Sequence, residues 1–258
     1  MASKFLGVYQ RNATHELGEL LPRLIASAQD ARLCLKICQL YRQRGICSLL
    51  QHNRPEEFVR DLHYSARAYV YHLHSAEDTQ KVASQSVPFF DALASKDYRA
   101  AEAIARSGRG KWADGEEFED DYCYFRFLWL NFYLGGSASD CDAVLQRYEQ
   151  ILDGDYDARF QLCRAIRHVD ARAFEDALAD FLSNHENRYK VLIERDLILP
   201  EEAATEGNVC VEALGLVNVV EPLGLSSKQD YLFIPSVARE TVSINYDSER
   251  WRHPGDDG

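Results

Sequence analysis

The sequence predicts an all-α protein of stacked antiparallel helical hairpins, irregular and tetratricopeptide-like, with short extended segments near its C-terminus. Three observations predict it. Apolar residues recur at helical spacing through most of the chain, capping and turn residues divide the stripes, and β-rich runs are confined to the C-terminal end.

The elements follow in order. Leu33, Ile37, Leu40 and Tyr41 form one apolar stripe, and Gly45 stands where a helix would end. Asn53-Arg-Pro-Glu-Glu57 then has the makings of a helix start: a capping Asn, an early Pro and first-turn carboxylates. Phe58, Leu62, Ala66, Tyr69 and Leu73 carry that helix to Ser75. Later, Leu162, Ala165, Ile166 and Val169 make one apolar face, Asp170 caps the next helix, and Phe174, Ala177, Leu178, Phe181 and Leu182 make the second. Residues 92–100 can be laid beside residues 165–173, with Asp97 on Asp170 and Ala100 on Ala173. This is a weak internal repeat without a strict period. Residues 230–235 and 241–246 are the β-rich stretches, with Pro235 between them. The expected organisation is one domain over residues 1–250, with an N-terminal helical part, 1–80, packed on 85–240, and a flexible tail at 251–258.

At 46% hydrophobic and 27% charged, the 258 residues exclude a disordered or fibrous chain. No run reaches the roughly 18 to 20 apolar residues of a membrane helix, and residues 1–10 lack the apolar stretch of a secretory signal. A cytoplasmic protein without membrane contact is the expectation. The seven cysteines, at 34, 38, 47, 123, 141, 163 and 210, include no Cys-x-x-Cys pair and read as reduced core residues. The net charge of −12 is uneven: residues 1–111 carry +5, residues 112–157 carry −10 and residues 158–258 carry −7. Such a chain repels phosphate backbones, which argues against direct nucleic-acid binding.

Motifs for chemistry are scarce. His63, His72 and His74 invite a metal reading, but 72 and 74 point about 200° apart on a helix and 63 is three turns from 74, so surface or partly buried histidines are expected. Ser107-Gly-Arg-Gly-Lys111 is not a phosphate-binding loop, and no nucleophile elbow or zinc-protease helix is present. No catalytic, cofactor-binding or metal-binding residue is assigned, and no enzyme is expected.

The exceptional segment is Asp114-Gly-Glu-Glu-Phe-Glu-Asp-Asp121, six carboxylates in eight residues, running into the aromatic stretch 122–134. One reading is structural: first-turn carboxylates complement the helix dipole of a buried helix. The other is functional: Asp114, Glu116, Glu117, Glu119, Asp120 and Asp121 repel one another at a cost that a cationic partner would relieve, and would steer its approach. Asp140, Asp142, Asp153, Asp155 and Asp157 extend the patch if they share its side. Tyr122 to Tyr133 supply either interface anchors or core.

The chain resembles the bacterial immunity proteins called immunity protein 49 over residues 85–240. The resemblance rests on residues 118–128, Tyr148-Glu-Gln-Ile-Leu152, Asp157-Ala-Arg-Phe-Gln-Leu162, Phe174-Glu-Asp-Ala-Leu178 and Ile234-Pro-Ser-Val-Ala-Arg239. It implies an all-α protein that neutralises a cognate toxin, often a nuclease, of a polymorphic toxin system, delivered by a contact-dependent or type VI apparatus. The acidic patch as a toxin-binding surface comes from the residues and not from the family. Two other readings stand beside it: a helical-repeat scaffold for endogenous partners, and an enzyme with an unfamiliar site.

Overall fold

The computed structural model describes residues 4–226, 230–240, 242, 247 and 249–253. Eleven α-helices appear among them: α1 (Leu6–Ala26), α2 (Ala31–His52), α3 (Pro55–Ser75), α4 (Pro88–Ala94), α5 (Tyr98–Ser107), α6 (Glu119–Phe132), α7 (Ala138–Leu152), α8 (Ala158–His168), α9 (Ala171–Glu194), α10 (Pro200–Ala204) and α11 (Val211–Val220). The all-α architecture read from the sequence is the one observed. Successive helices pack side by side, α1 on α2, α2 on α3, α6 on α7 and α8 on α9, while α11 closes onto α4. Among the described residues there is no strand, only an isolated bridge between Tyr231 and Ile234. Of the second β-rich stretch, only Val242 lies within the described residues. No described helix is long and apolar enough to cross a membrane.

Local sequence explains most boundaries. Asp30, Asp97, Asp157 and Asp170 each accept a hydrogen bond from the main-chain N–H three residues on, at 3.0 or 3.1 Å, and so start α2, α5, α8 and α9. The aligned pair Asp97 and Asp170 thus does the same work in both halves of the weak repeat. Two boundary expectations are corrected. Gly45 does not end α2, which continues to His52; a Cβ there would stand 3.0 Å from Asp61 Cβ and 3.1 Å from the Phe58 carbonyl oxygen, so the glycine lets α2 and α3 approach. Asn53 is the left-handed C-cap of α2, and Arg54, without a side-chain cap, precedes Pro55 at the start of α3.

One hydrophobic cluster runs from Ala13 to Trp251, so residues 1–80 and 85–240 share a core. All seven cysteines are buried and free, with Cys38 Sγ donating to the Ser65 carbonyl at 3.3 Å. Charged groups cross the same interior. Asp91 of α4 receives Arg42 at 2.7 and 2.8 Å and Ser65 Oγ at 2.5 Å, Arg44 pairs with Asp61, and Arg67 binds Asp97 at 2.7 and 2.8 Å. His63 joins this last pair, its Nδ1 2.8 Å from Asp97, while His72 Nδ1 is 2.7 Å from the Ala28 carbonyl. Both rings are buried, not at the surface, because each has a polar partner of its own.

The expected flexible tail is corrected at its start. Trp251 is buried, packs 5.3 Å from the Tyr71 ring, and its carbonyl accepts the Tyr41 hydroxyl, because so large an apolar side chain gains more by covering α2 and α3 than by hydration. Residues 254–258 lie outside the described residues.

Candidate functional site

The acidic segment opens α6. Glu119, Asp120 and Asp121 fill the first turn, where the free N–H groups and the dipole favour negative charge. Behind them, Cys123, Tyr124, Phe125, Phe127, Leu128, Trp129 and Leu130 are buried, so the aromatic run is core and supplies few surface anchors. The connection from α5 to α6 folds back on itself. Glu116 and Glu117 both donate their main-chain N–H to the Ala113 carbonyl, at 3.0 and 3.2 Å, and Trp112 Nε1 donates to the Glu117 carbonyl at 3.1 Å.

This turn and the α6 N-terminus surround a groove of about 550 Å³, lined by Asp114, Glu116, Glu117, Glu119 and Asp121 with Trp112, Phe118 and Ser84. Five of the six clustered carboxylates therefore meet in one place. Asp120 does not line the groove; its charge reaches Asp121 and the buried Tyr148 instead. Asp153, Asp155 and Asp157 lie in the α7–α8 turn outside the groove: Asp153 is the left-handed C-cap of α7, Asp155 is exposed, and Asp157 caps α8. Asp140 forms a capping box with Ser137, and Asp142 binds Arg167 at 2.7 and 3.1 Å.

Four of the six carboxylates already have partners in this chain. Arg109 reaches Glu116 at 3.0 Å, the Ser84 N–H donates to Glu117 at 2.9 Å, Arg147 of α7 grips Glu119 at 2.7 and 2.8 Å, and Arg159 of α8 donates to Asp121 at 2.9 Å. The mutual repulsion expected from composition is thus largely relieved within the protein. Asp114 and Asp120 are the two clustered carboxylates with neither an ion pair nor a side-chain hydrogen bond among the described residues. Burial raises the Asp121 carboxyl above its ordinary range against the pull of Arg159, and the Asp120 charge adds to the rise.

Two aromatic side chains complete the groove. Phe118 is 77% exposed and Trp112 is also at the surface. Phe118 occupies the N-cap position of α6, where its side chain makes no capping hydrogen bond. Such a position normally selects Ser, Thr, Asp or Asn, and the departure is a signal the sequence carried. A carboxylate-lined groove between two exposed rings suits a cationic side chain, above all a guanidinium, which pairs with carboxylates and stacks on aromatic faces. No group of three metal-ligating side chains gathers among the described residues.

No protein-family model matches the chain, and neither a curated protein nor a solved structure does.

Proposed function

We propose that this protein is an immunity protein, which binds a cognate bacterial toxin domain and neutralises it by direct protein–protein inhibition. The observation that carries the reading is Phe118, a large apolar side chain 77% exposed at the rim of a groove lined by five carboxylates. Its ring contributes no capping hydrogen bond to the fold, yet it is the kind of group that anchors an interface, with charged groups around it governing approach. The resemblance of residues 118–128 to immunity proteins falls on this same rim and helix.

A nuclease toxin holds phosphates with cations, so an acidic inhibitor can seat itself on or beside that cationic site and exclude nucleic acid. The inhibitor performs no reaction. A nuclease effector of a contact-dependent or type VI system is the toxin class the resemblance implies.

The test is a pull-down with the tagged full-length chain from its native cell at low and moderate salt. A stoichiometric basic toxin domain should co-purify, lose hold as salt rises, and be made harmless by co-expression. The Phe118→Ala variant should fail to protect. A panel of ordinary host proteins with no protection against any toxin would instead favour the helical-repeat scaffold.

A further inference from the structure

A second cleft lies where α8, α9 and α11 meet, on the other side of Arg159 from the acidic groove's Asp121. The buried residues of α9 end at Leu182, and the half of the helix beyond them carries His185, Arg188 and Tyr189 along the cleft. Two adjoining cavities, of about 310 and about 240 Å³, share Arg159, His185, Arg188, Cys210 and Glu212. Together they fall in the lower range for small-molecule sites.

The inner cavity is rich in acceptors. Glu206 Oε1 and His185 Nε2 are withdrawn from solvent and have no hydrogen-bond partner among the described residues. Glu206 gives its other oxygen to Arg42 at 3.2 Å, but that guanidinium is already held by both oxygens of Asp91. Two carboxylates thus share one cation, and the inner wall is net negative. The His185 ring is fixed between Tyr189 and Phe233, with centroids 4.7 and 5.1 Å away, and burial pushes it down to about 4, so it adds no compensating charge near neutral pH. Buried polar atoms of this kind are normally paired, which points to a donor-bearing guest.

The other end of the cleft has the opposite need. Arg159 is neutralised by Asp121 and Glu212, whereas the exposed Arg188 has no ion pair among the described residues. We propose that this cleft binds a small zwitterion of amino-acid size, its ammonium group directed inward to Glu206 and His185 and its carboxylate held by Arg188. Phosphate-bearing ligands are disfavoured by the negative inner wall, and a simple amine leaves Arg188 unused. Phe181, Phe90 and Val211 give the ligand's side chain an apolar wall.

Calorimetry and thermal unfolding of the full chain with each of the twenty common L-amino acids test this, with butylamine and propionate as probes of each end alone. At least one amino acid should bind and raise Tm by about 3 °C at ~10 times its Kd. Neither one-ended probe should bind within tenfold of it. Arg188→Gln, a surface change, should leave the Tm of the free protein unmoved and weaken that amino acid at least tenfold; Glu206→Gln should also weaken it. No binding by any of the twenty at millimolar concentration overturns the proposal. So does butylamine binding as tightly as the amino acid, or unchanged affinity in a folded Arg188→Gln variant.

Discussion

Asp121 of α6 and Arg159 of α8 are joined by a hydrogen bond of 2.9 Å, and the same guanidinium stands 3.4 Å from Glu212 of α11. Three helices distant in sequence are therefore tied at one cation, which also lies 5.1 Å over the Tyr124 ring. Removing it would leave two half-buried carboxylates without their shared cation. Arg159→Gln should destabilise the fold by about 2 kcal/mol, less than a fully buried pair because the side chain is partly exposed. Urea denaturation followed by circular dichroism measures this; a loss below ~0.5 kcal/mol would mean that solvent replaces the arginine without cost.

The paired and unpaired carboxylates of the groove should separate experimentally. Asp114→Asn and Asp120→Asn remove charges without ion pairs, so they should leave stability within about 0.5 kcal/mol and slow association with a basic partner, most at low salt. Glu119→Gln breaks the two-pronged bond to Arg147 and should lower stability more than either of them. Phe118→Ala should be neutral for folding and cost 2 kcal/mol or more in binding, at the ~2 kcal/mol level that defines an anchor. Stopped-flow association and thermal unfolding on the four variants give the comparison. Equal effects of Asp114→Asn and Glu119→Gln on stability would abolish the distinction.

What could be read from the sequence was what local chemistry decides. The Asp97 and Asp170 caps act over three residues, so a pattern match found both. The arginines that neutralise the patch come from outside any local window: Arg147 is 28 residues from Glu119 and Arg159 is 38 from Asp121. Composition therefore showed the charge of the segment but not its compensation. The aromatic run after Asp121 was ambiguous between core and surface because both use the same side chains; packing buries it and leaves Phe118 and Trp112 outside. Gly45 looked like a stop because glycine marks helix ends and close helix crossings alike.

Val169, expected on the apolar face of α8, is instead its exposed C-cap at φ +52°, ψ +43°. A β-branched residue pays a steric penalty in that region, whereas Asn tolerates it. Val169→Asn should raise stability by about 1 kcal/mol. A lower denaturation midpoint for this variant would mean that the valine side chain makes a stabilising contact larger than the strain.

Gly45 offers the opposite case. Its Cβ would meet Asp61 Cβ at 3.0 Å and the Phe58 main chain at 3.1 and 3.3 Å, and the backbone cannot yield as a flexible side chain does. Asp61 in turn is fixed by Arg44. Alanine is the better helix former by about 1 kcal/mol, so the sign of Gly45→Ala decides between propensity and packing. Overpacking should win, with a net loss of about 1 to 2 kcal/mol in chemical denaturation. A gain would show that α2 and α3 can separate freely.

His185 gives the chain a pH-dependent term whose sign is fixed by its burial. Its folded value lies at about 4, below the ordinary 6.5 of an unfolded imidazole. Between those two values the unfolded chain binds more protons, so acid favours unfolding and stability falls as pH drops from 6.5 toward 4. The ring is only partly buried, and solvent screening reduces the effect to about 1 kcal/mol between pH 7 and 5. His72, also lowered by burial, contributes in the same direction. Carboxylates held below their ordinary range, such as Asp97, act in the same direction at lower pH, so the His185 share is isolated by difference. The stability of His185→Gln should fall less between pH 7 and 5 than that of the wild-type chain, by that ~1 kcal/mol. Parallel stability curves for the two proteins over this range would place the protonation of His185 outside the folding equilibrium.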